Sequence, residues 1–438
     1  MAHLSKAAAG TAPASPMPRN PLATAAQRDV ESQALRLFGS DAVQQSLARA
    51  RALFLADARA GTPAGRATLE QNLSEWAFSA AICAASMDPA NPRICWTLNL
   101  PHRWFGLDLP GSRHGVDNPD NLYRVIAIDA QSRYQVRGRV PPHAAPDVSF
   151  TVFSAYPGNG EDSHSLGVLT LADLEVEEQG RFVLDVDSLA GEGRRNHLPV
   201  KPGAKLIFVR DSLHDWAVES PITLEVQRLC GPPAGSAESA DEQRLSRLAA
   251  QIVERAVPYW IHSMPKWFGQ LPHNVLPPAA ASNFAYARQA TVGAQFRIAE
   301  DQALVITADP MGAAYFGFQV ADPWGSSPDY ARHSASLNAA QALPNSDGTI
   351  SFVVAMQDPM VHNWVDTAGL EEGTLLIRWQ ALPPGGIDPQ RSIRQVALVR
   401  LTDLAAALPP ETNGISAEDR RHQRAARQAA HARRLVEA

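Results

Sequence analysis

Asp358, His362 and Asp366 place an imidazole between two carboxylates within a single loop, in the run DPMVHNWVD. This is the combination a general base needs. A neighbouring carboxylate holds the ring in one tautomer and raises its pKa. The same side chains would also suit a metal site, or serve only as a hydrogen-bonded loop. The four-residue spacing would align them on a helix, but Pro359 and the strand-like runs on either side argue against one. Asn363 and Trp364 share the loop, and Arg378 closes the strand that follows. Asn363 and Trp364 are expected to anchor the loop or to contact a substrate. Buried Arg378, like Arg210 earlier in the chain, is expected to pair with a carboxylate, because an unpaired buried charge is costly. Elsewhere, Asp120, Asn121 and Tyr123 lie in the dense segment GVDNPDNLYR, either lining a polar pocket or forming an Asx-turn that feeds a strand. His262, in an aromatic stretch that also holds His273, is a further lining candidate.

Other chemistries lack their signatures. There is no phosphate-cradling glycine loop, no nucleophile elbow and no paired-ligand zinc motif. No metal ligand and no cofactor is assigned. The formal net charge of −6 gives no global pull toward nucleic acid or a membrane surface. The 3 cysteines form no disulfide framework, and their odd number fits a reducing cytoplasm. No apolar run approaches bilayer-spanning length.

These residues must be positioned by strands. With 34 Pro and 28 Gly in 438 residues, the chain favours many short strands joined by turns. The loop that carries His362 lies between the runs 350–356 and 374–379, and an earlier stretch repeats its order: glycine, strand, loop, Asn, ring, aliphatic, glycine, strand, Arg. Asn196-His197-Leu198 aligns with Asn363-Trp364-Val365 at an offset of 363 − 196 = 167 residues, and Arg210 with Arg378. The turns Tyr156-Pro157-Gly158 and Pro323-Trp324-Gly325 recur as well, as do Trp104-Phe105-Gly106 and Trp267-Phe268-Gly269. The reading is an internal duplication. Strands at 122–128 and 133–139 are expected as a hairpin across Asp129–Ser132.

The expected organisation is a disordered lead (1–25), a helical layer (26–90), a first β-sandwich (91–231), a linker and helix ending at Pro258 (232–258), a second β-sandwich (259–408) and a helical tail (409–438). The segment 259–278 reads as irregular. The tail, acidic early and arginine-rich late, reads as a surface helix, because its apolar residues are mostly alanine.

Two elements resemble known families. The Asn-(His/Trp)-(Leu/Val) loop between strands, with its closing Arg, resembles the bacterial domain-of-unknown-function family numbered 1214. Asn196-His197-Leu198-Pro199 is close to that family's Asn-Trp-Leu-Pro, while Asn363-Trp364-Val365-Asp366 keeps Asn-Trp and replaces the proline. Asp120-Asn121-Leu122-Tyr123 resembles the Asn…Asp-Thr-Leu-Tyr element of family 1254, with its Asp-Thr absent. The resemblance implies tandem jelly-roll-like β-domains and brings no reaction with it.

The fold class is therefore mainly β with helical additions: tandem antiparallel jelly-roll-like sandwiches, a helical N-terminal layer and a helical linker. Two functions fit. One is an enzyme acting on a small organic or carbohydrate-like substrate by lyase- or hydrolase-type acid–base chemistry. The other is a non-catalytic ligand-binding or homo-oligomer-forming module. The second copy is the expected site, because its loop offers Asp358, His362 and Asp366 where the first offers Arg194, Arg195 and His197, with no acceptor to orient the imidazole.

Overall fold

The computed structural model describes residues 20–160, 163–191, 193–233, 241–281 and 288–437. The N-terminal lead up to residue 19 and most of the 232–240 linker lie outside the described residues.

Three helices come first: α1 (Ala25–Phe38), α2 (Asp41–Ala56) and α3 (Pro63–Ser86). Their starts follow local chemistry. Thr24 and Thr62 cap α1 and α3 by accepting from Gln27 N and Gly65 N, and Pro63 occupies the first turn of α3. A fourth helix, α4 (Glu242–Phe268), packs its Leu245, Ala249, Val253 and Val257 into the same apolar cluster as Leu69, Leu73 and Ala77 of α3. The expected linker helix thus belongs to the helical layer.

Pro258 does not end α4, which runs on through Pro258 and Pro265 to Phe268. A proline inside a helix removes one hydrogen bond and crowds the preceding turn. Tertiary packing offsets that loss here. Trp260 of the far half fits against Gly115 and Gly158, where an added Cβ would stand 2.7 and 2.4 Å from the indole, and its Nε1 donates to Gly158 O at 3.1 Å. Gly325, in the matching turn of the second half, sits in the same way against Met264. Both glycines have positive φ, +84° and +91°, so both turn geometry and close approach require them. The expected irregular stretch is therefore helical over Tyr259–Phe268.

The first sandwich comprises β1 (Ile94–Thr97), β2 (His102–Trp104), β3 (Leu107–Leu109), β4 (Asn121–Ala127), β5 (Arg133–Arg139), β6 (Asp147–Phe153), β7 (Ser165–Thr170), β8 (Arg181–Asp187), β9 (His197–Pro199), β10 (Leu206–Ser212) and β11 (Thr223–Cys230). The second comprises β12 (Ala280–Ala281), β13 (Ala290–Arg297), β14 (Gln302–Ala308), β15 (Tyr315–Ala321), β16 (Ser336–Asn338), β17 (Ile350–Ala355), β18 (Trp364–Asp366), β19 (Glu372–Gln380) and β20 (Ile393–Arg400). Two short helices, α5 (Pro389–Ser392) and α6 (Leu404–Ala407), precede the C-terminal helix α7 (Ala417–Ala432).

The duplication is explicit in the strand order. A five-stranded sheet β1-β4-β10-β6-β7 faces a four-stranded sheet β11-β5-β8-β9 in the first unit; the second repeats this as β12-β13-β19-β15-β16 and β20-β14-β17-β18. Pairing is antiparallel except at β8 with β9 and β17 with β18, which are parallel in both units. Alternation along the strands builds each core, as in β5, where Tyr134, Val136 and Gly138 are buried and Arg133, Arg137 and Arg139 exposed. Phe150 and Phe182 meet edge to face in the first core, and Phe318 stacks on Phe352 in the second. Each such ring, fully buried, contributes about 1.5–3 kcal/mol.

Two expectations need correction. β4 and β5 belong to different sheets, so the turn at Asp129–Ser132 carries the chain from one layer to the other and is not a hairpin. Asp129 shapes it by accepting from Gln131 N and Ser132 N, both at 2.8 Å. The two Trp-Phe-Gly runs are not equivalent. Trp104 ends β2 and Phe105-Gly106 follow it, whereas Trp267-Phe268 ends α4. The repeated unit is the sandwich alone.

Candidate functional site at the junction of the two sandwiches

The anchor reading of the paired asparagines holds. Asn196 Nδ2 donates to Glu175 O and its Oδ1 accepts from Glu175 N, both at 2.8 Å. Asn363 does the same to Leu343, at 2.7 and 2.8 Å, and its Nδ2 also donates to Ser351 O at 3.0 Å. Each carboxamide clamps a distant backbone segment from both sides.

The three proposed catalytic side chains do not form one cluster. Asp358 is held by Arg420 of α7, at 2.9 and 3.2 Å, and accepts from Met360 N. Asp366 accepts from His333 Nδ1 at 2.8 Å and from Ala368 N, with Arg424 at 3.8 Å. The bond to Asp366 raises the pKa of His333. His362 pairs with neither carboxylate; its Nδ1 bonds Asn363 Oδ1 at 3.1 Å. The reason is geometric. Along β18, Trp364 to Asp366, successive side chains alternate faces, and the loop before it is pinned to α7 by Arg420. The expected absence of an acceptor beside His197 is also corrected, because His197 Nε2 lies 3.0 Å from Asp187 Oδ1. Arg194, with His197, holds the Asp187 carboxyl well below the usual carboxylate range.

The remaining candidates scatter. Trp364 is buried, donates to Ala355 O at 2.9 Å and lies beneath Arg420 and Arg424, each 5.2 Å from the ring. His262 is exposed on α4, bonded to Pro258 O, in a surface depression with Arg255 and Lys266. Arg378 is buried without the expected carboxylate; it donates to Gln319 Oε1 and to Val116 O, which is enough to satisfy part of its fork without an anion. Arg210 does have one, Asp147 at 3.6 Å.

Asp120, Asn121 and Tyr123 are tied to one another across the junction instead of lining an open pocket. Asn118 Nδ2 donates to Tyr315 OH at 2.8 Å, and Tyr315 OH donates to Asp120 Oδ2 at 2.7 Å. Asn121 Nδ2 donates to Tyr123 OH at 3.1 Å, and Trp216 Nε1 donates to Asp120 Oδ1 at 2.8 Å. Satisfied buried networks of this kind fix relative orientation. This one joins β4 of the first unit to β15 of the second.

That strut places Trp216 in the wall of a cleft of about 270 Å³. Asp215 and Trp216 come from the first unit, Ser334, Leu337, Gln341 and His362 from the second, and Gln423, Arg424, Arg427 and Ala430 from α7. The volume is near the lower end of ligand clefts, about 300–1,000 Å³. Of the ten candidates, His362 alone lines it.

The imidazole of His362 is oriented. Asn363 Nδ2 is committed as a donor to two carbonyls, so Oδ1 is the acceptor and His362 Nδ1 must carry the hydrogen. In the neutral ring Nε2 is then the bare acceptor.

α7 was expected on the surface, yet Arg420, Ala430, His431 and the following Arg434 are all buried. Arg427 stands 4.3 Å and Arg434 4.4 Å from the Trp216 ring. Arginines dock this helix: their stems cover apolar surface and their planes lie against indoles. Arg427 and Arg434 were missed because a helix judged by its apolar face looks unable to dock. The only sequence signal was the density of arginines late in the tail. Among the described residues no group of three or more His, Cys, Asp or Glu is arranged to hold a metal ion.

No protein-family model matches the chain, and comparison with curated proteins finds no relative. The fold is similar to the crystal structure of an uncharacterised protein from Burkholderia cenocepacia, at 25% identity and a TM-score of 0.69, over 86% of this chain and 100% of that one. The VPA0106 protein from Vibrio parahaemolyticus aligns over 65% of this chain and 90% of its own at 10% identity, with a TM-score of 0.38. No helix among the described residues is long and apolar enough to cross a membrane.

Proposed function

We propose that the protein binds a small organic molecule in the cleft between its sandwiches and acts on it by acid–base chemistry of the lyase or hydrolase type, with His362 Nε2 accepting the proton. The observation that carries this reading is an imidazole of fixed tautomer in the wall of the cleft at the junction. A positioned base of this kind contributes typically 10²–10⁴-fold to a rate. Of the two substrate classes, a small organic molecule suits the cleft better than a carbohydrate. At about 270 Å³ the cleft lies at the lower end of ligand clefts and has room for a compact molecule, not for a chain of sugars. The duplicated Asn-(His/Trp) loop keeps the resemblance to family 1214 within the proposal, and the buried free thiols Cys83 and Cys95 agree with a cytoplasmic setting.

One observation favours the second reading, ligand binding without turnover: Asp366 is spent on His333, so no carboxylate supports His362. The two readings separate by experiment. Once a compound that binds the cleft is in hand, His362→Gln should retain binding and lose turnover. Turnover that survives in His362→Gln would remove the catalytic assignment, and binding without turnover in the unaltered protein would leave the second reading.

A further inference from the structure

We infer that the molecule taken by the cleft is an anion, with a carboxylate or phosphate group held by the arginines of α7 and an apolar body against the lining alanines Ala217, Ala340 and Ala426. The inference rests on the cleft reading above and adds the ligand's charge.

Two guanidinium groups line it, Arg424 and Arg427, and a third, Arg434, is buried against the lining residue Trp216. Every bond Arg427 makes is to a neutral acceptor. Its Nε donates to Tyr330 O at 2.5 Å, Nη2 to Ser336 Oγ at 2.9 Å and Nη1 to Gln341 Oε1 at 3.5 Å. Arg434 is 6% exposed and donates to Pro119 O at 3.0 Å; its Nε and one Nη are buried without a partner. The Nε of Arg424 is likewise buried and unpartnered.

Among the described residues no carboxylate stands within ion-pair distance of Arg427 or Arg434, and the nearby ones take their hydrogen bonds elsewhere. Asp366 is shared between His333 and Arg424, at 2.8 and 3.8 Å. Asp120 accepts from Trp216 and Tyr315. Asp215, in the cleft wall, accepts from Ala217 N at 2.8 Å. Buried cations with idle donors are costly unless paired, and a planar oxyanion is the partner that a guanidinium fork fits. Burial pushes Arg427 down to about 10 and lowers Arg434 as well. His431, buried beside them, is held neutral and adds no positive charge.

The apolar wall supplies the other half of the recognition. A free inorganic anion would leave the exposed lining alanines Ala217, Ala340 and Ala426 uncovered, so the oxyanion belongs to a molecule with a compact hydrocarbon or aromatic body.

The test uses the full chain and three probes of one shape: benzoate, its neutral counterpart benzamide, and phenyl phosphate. Binding is read by calorimetry, with thermal melting alongside. Benzoate or phenyl phosphate should bind at least ten-fold more tightly than benzamide. Arg424→Gln, whose side chain is 43% exposed, should abolish that preference, with melting showing that the variant is folded. Arg427→Gln should do the same wherever melting shows the variant folded. Equal binding of all three probes would overturn the anion and leave the cleft standing. Charged probes that bind Arg424→Gln and folded Arg427→Gln as well as the unaltered protein would overturn it too, by placing them elsewhere. No binding of any probe would overturn both the cleft and the anion.

Discussion

Replacing Arg420 with leucine should release the C-terminal helix while the sandwiches stay folded. Arg420 is 3% exposed and donates to both oxygens of Asp358, to Val361 O and to His362 O. Leucine keeps part of the contact with Trp364 but leaves a largely buried carboxylate and two carbonyls without their donor. Removing one partner of a buried pair costs about 3–5 kcal/mol. The loss falls on α7, because α7 is the last helix and holds to the second sandwich through this group and its neighbours Arg424 and Arg427. Each 1.36 kcal/mol is a factor of ten, so amide exchange across 417–432 should accelerate on the order of 10²- to 10⁴-fold. Exchange in β14 and β19 should be unchanged. Arg420→Lys, which keeps the charge and loses the fork, should fall between. The assay is hydrogen exchange read by mass spectrometry at neutral pH. Exchange within ten-fold of the unaltered protein over 417–432 would refute the reasoning that arginines, not apolar contacts, dock this helix.

Other outcomes follow from the same geometry. Asn363→Ala should destabilise by roughly 1–3 kcal/mol in urea unfolding, and Asn196→Ala by less, because Asn363 makes three backbone bonds from a buried position and Asn196 two from a half-buried one; equal costs would contradict this. Burial raises Glu31 to about 7 against donors Gln27 and Trp104, so the folded state holds a proton that the unfolded chain releases above pH 4.5. Stability from this group is therefore full below pH 4.5 and lost as pH rises toward 7, by roughly 3 kcal/mol at most. The melting-temperature difference between Glu31→Gln and the unaltered protein should accordingly shift in favour of the variant across pH 4.5–7, and a difference that does not vary with pH would count against it. Asp366→Asn should lower the pKa of His333 in a proton NMR titration, since the Asp366 bond is what raises it; an unmoved titration would show the pair to be unimportant.

Much of the architecture was legible in the residues. Alternation along β5 and β8 reflects a two-residue side-chain period that needs no tertiary information to read. The duplicated Asn196 and Asn363 were legible as anchors because each sits at the same place in a repeated strand-loop-strand order, and a scaffold contact recurs with its scaffold. Short strands such as β9, β16 and β18 were not legible, because three residues carry no period. The passage of α4 through Pro258 was also hidden: a proline's local cost is visible in sequence, while the fit of Trp260 against Gly115 and Gly158 that offsets it is not. The site shows the same division. Composition and spacing put His362 beside carboxylates, and the chain does place them within a few residues. Which acceptor each side chain meets, however, depends on strand direction and on segments far away. Asp366 meets His333, Asp358 meets Arg420, and His362 is left to Asn363 and the cleft. The arginines of α7 complete that cleft from the far end of the chain. Sequence alone settles which residues are charged. Only the docking of α7 against Trp216 and Trp364 brings those charges together, because burying a guanidinium requires an indole face and free carbonyls that the tertiary fold supplies.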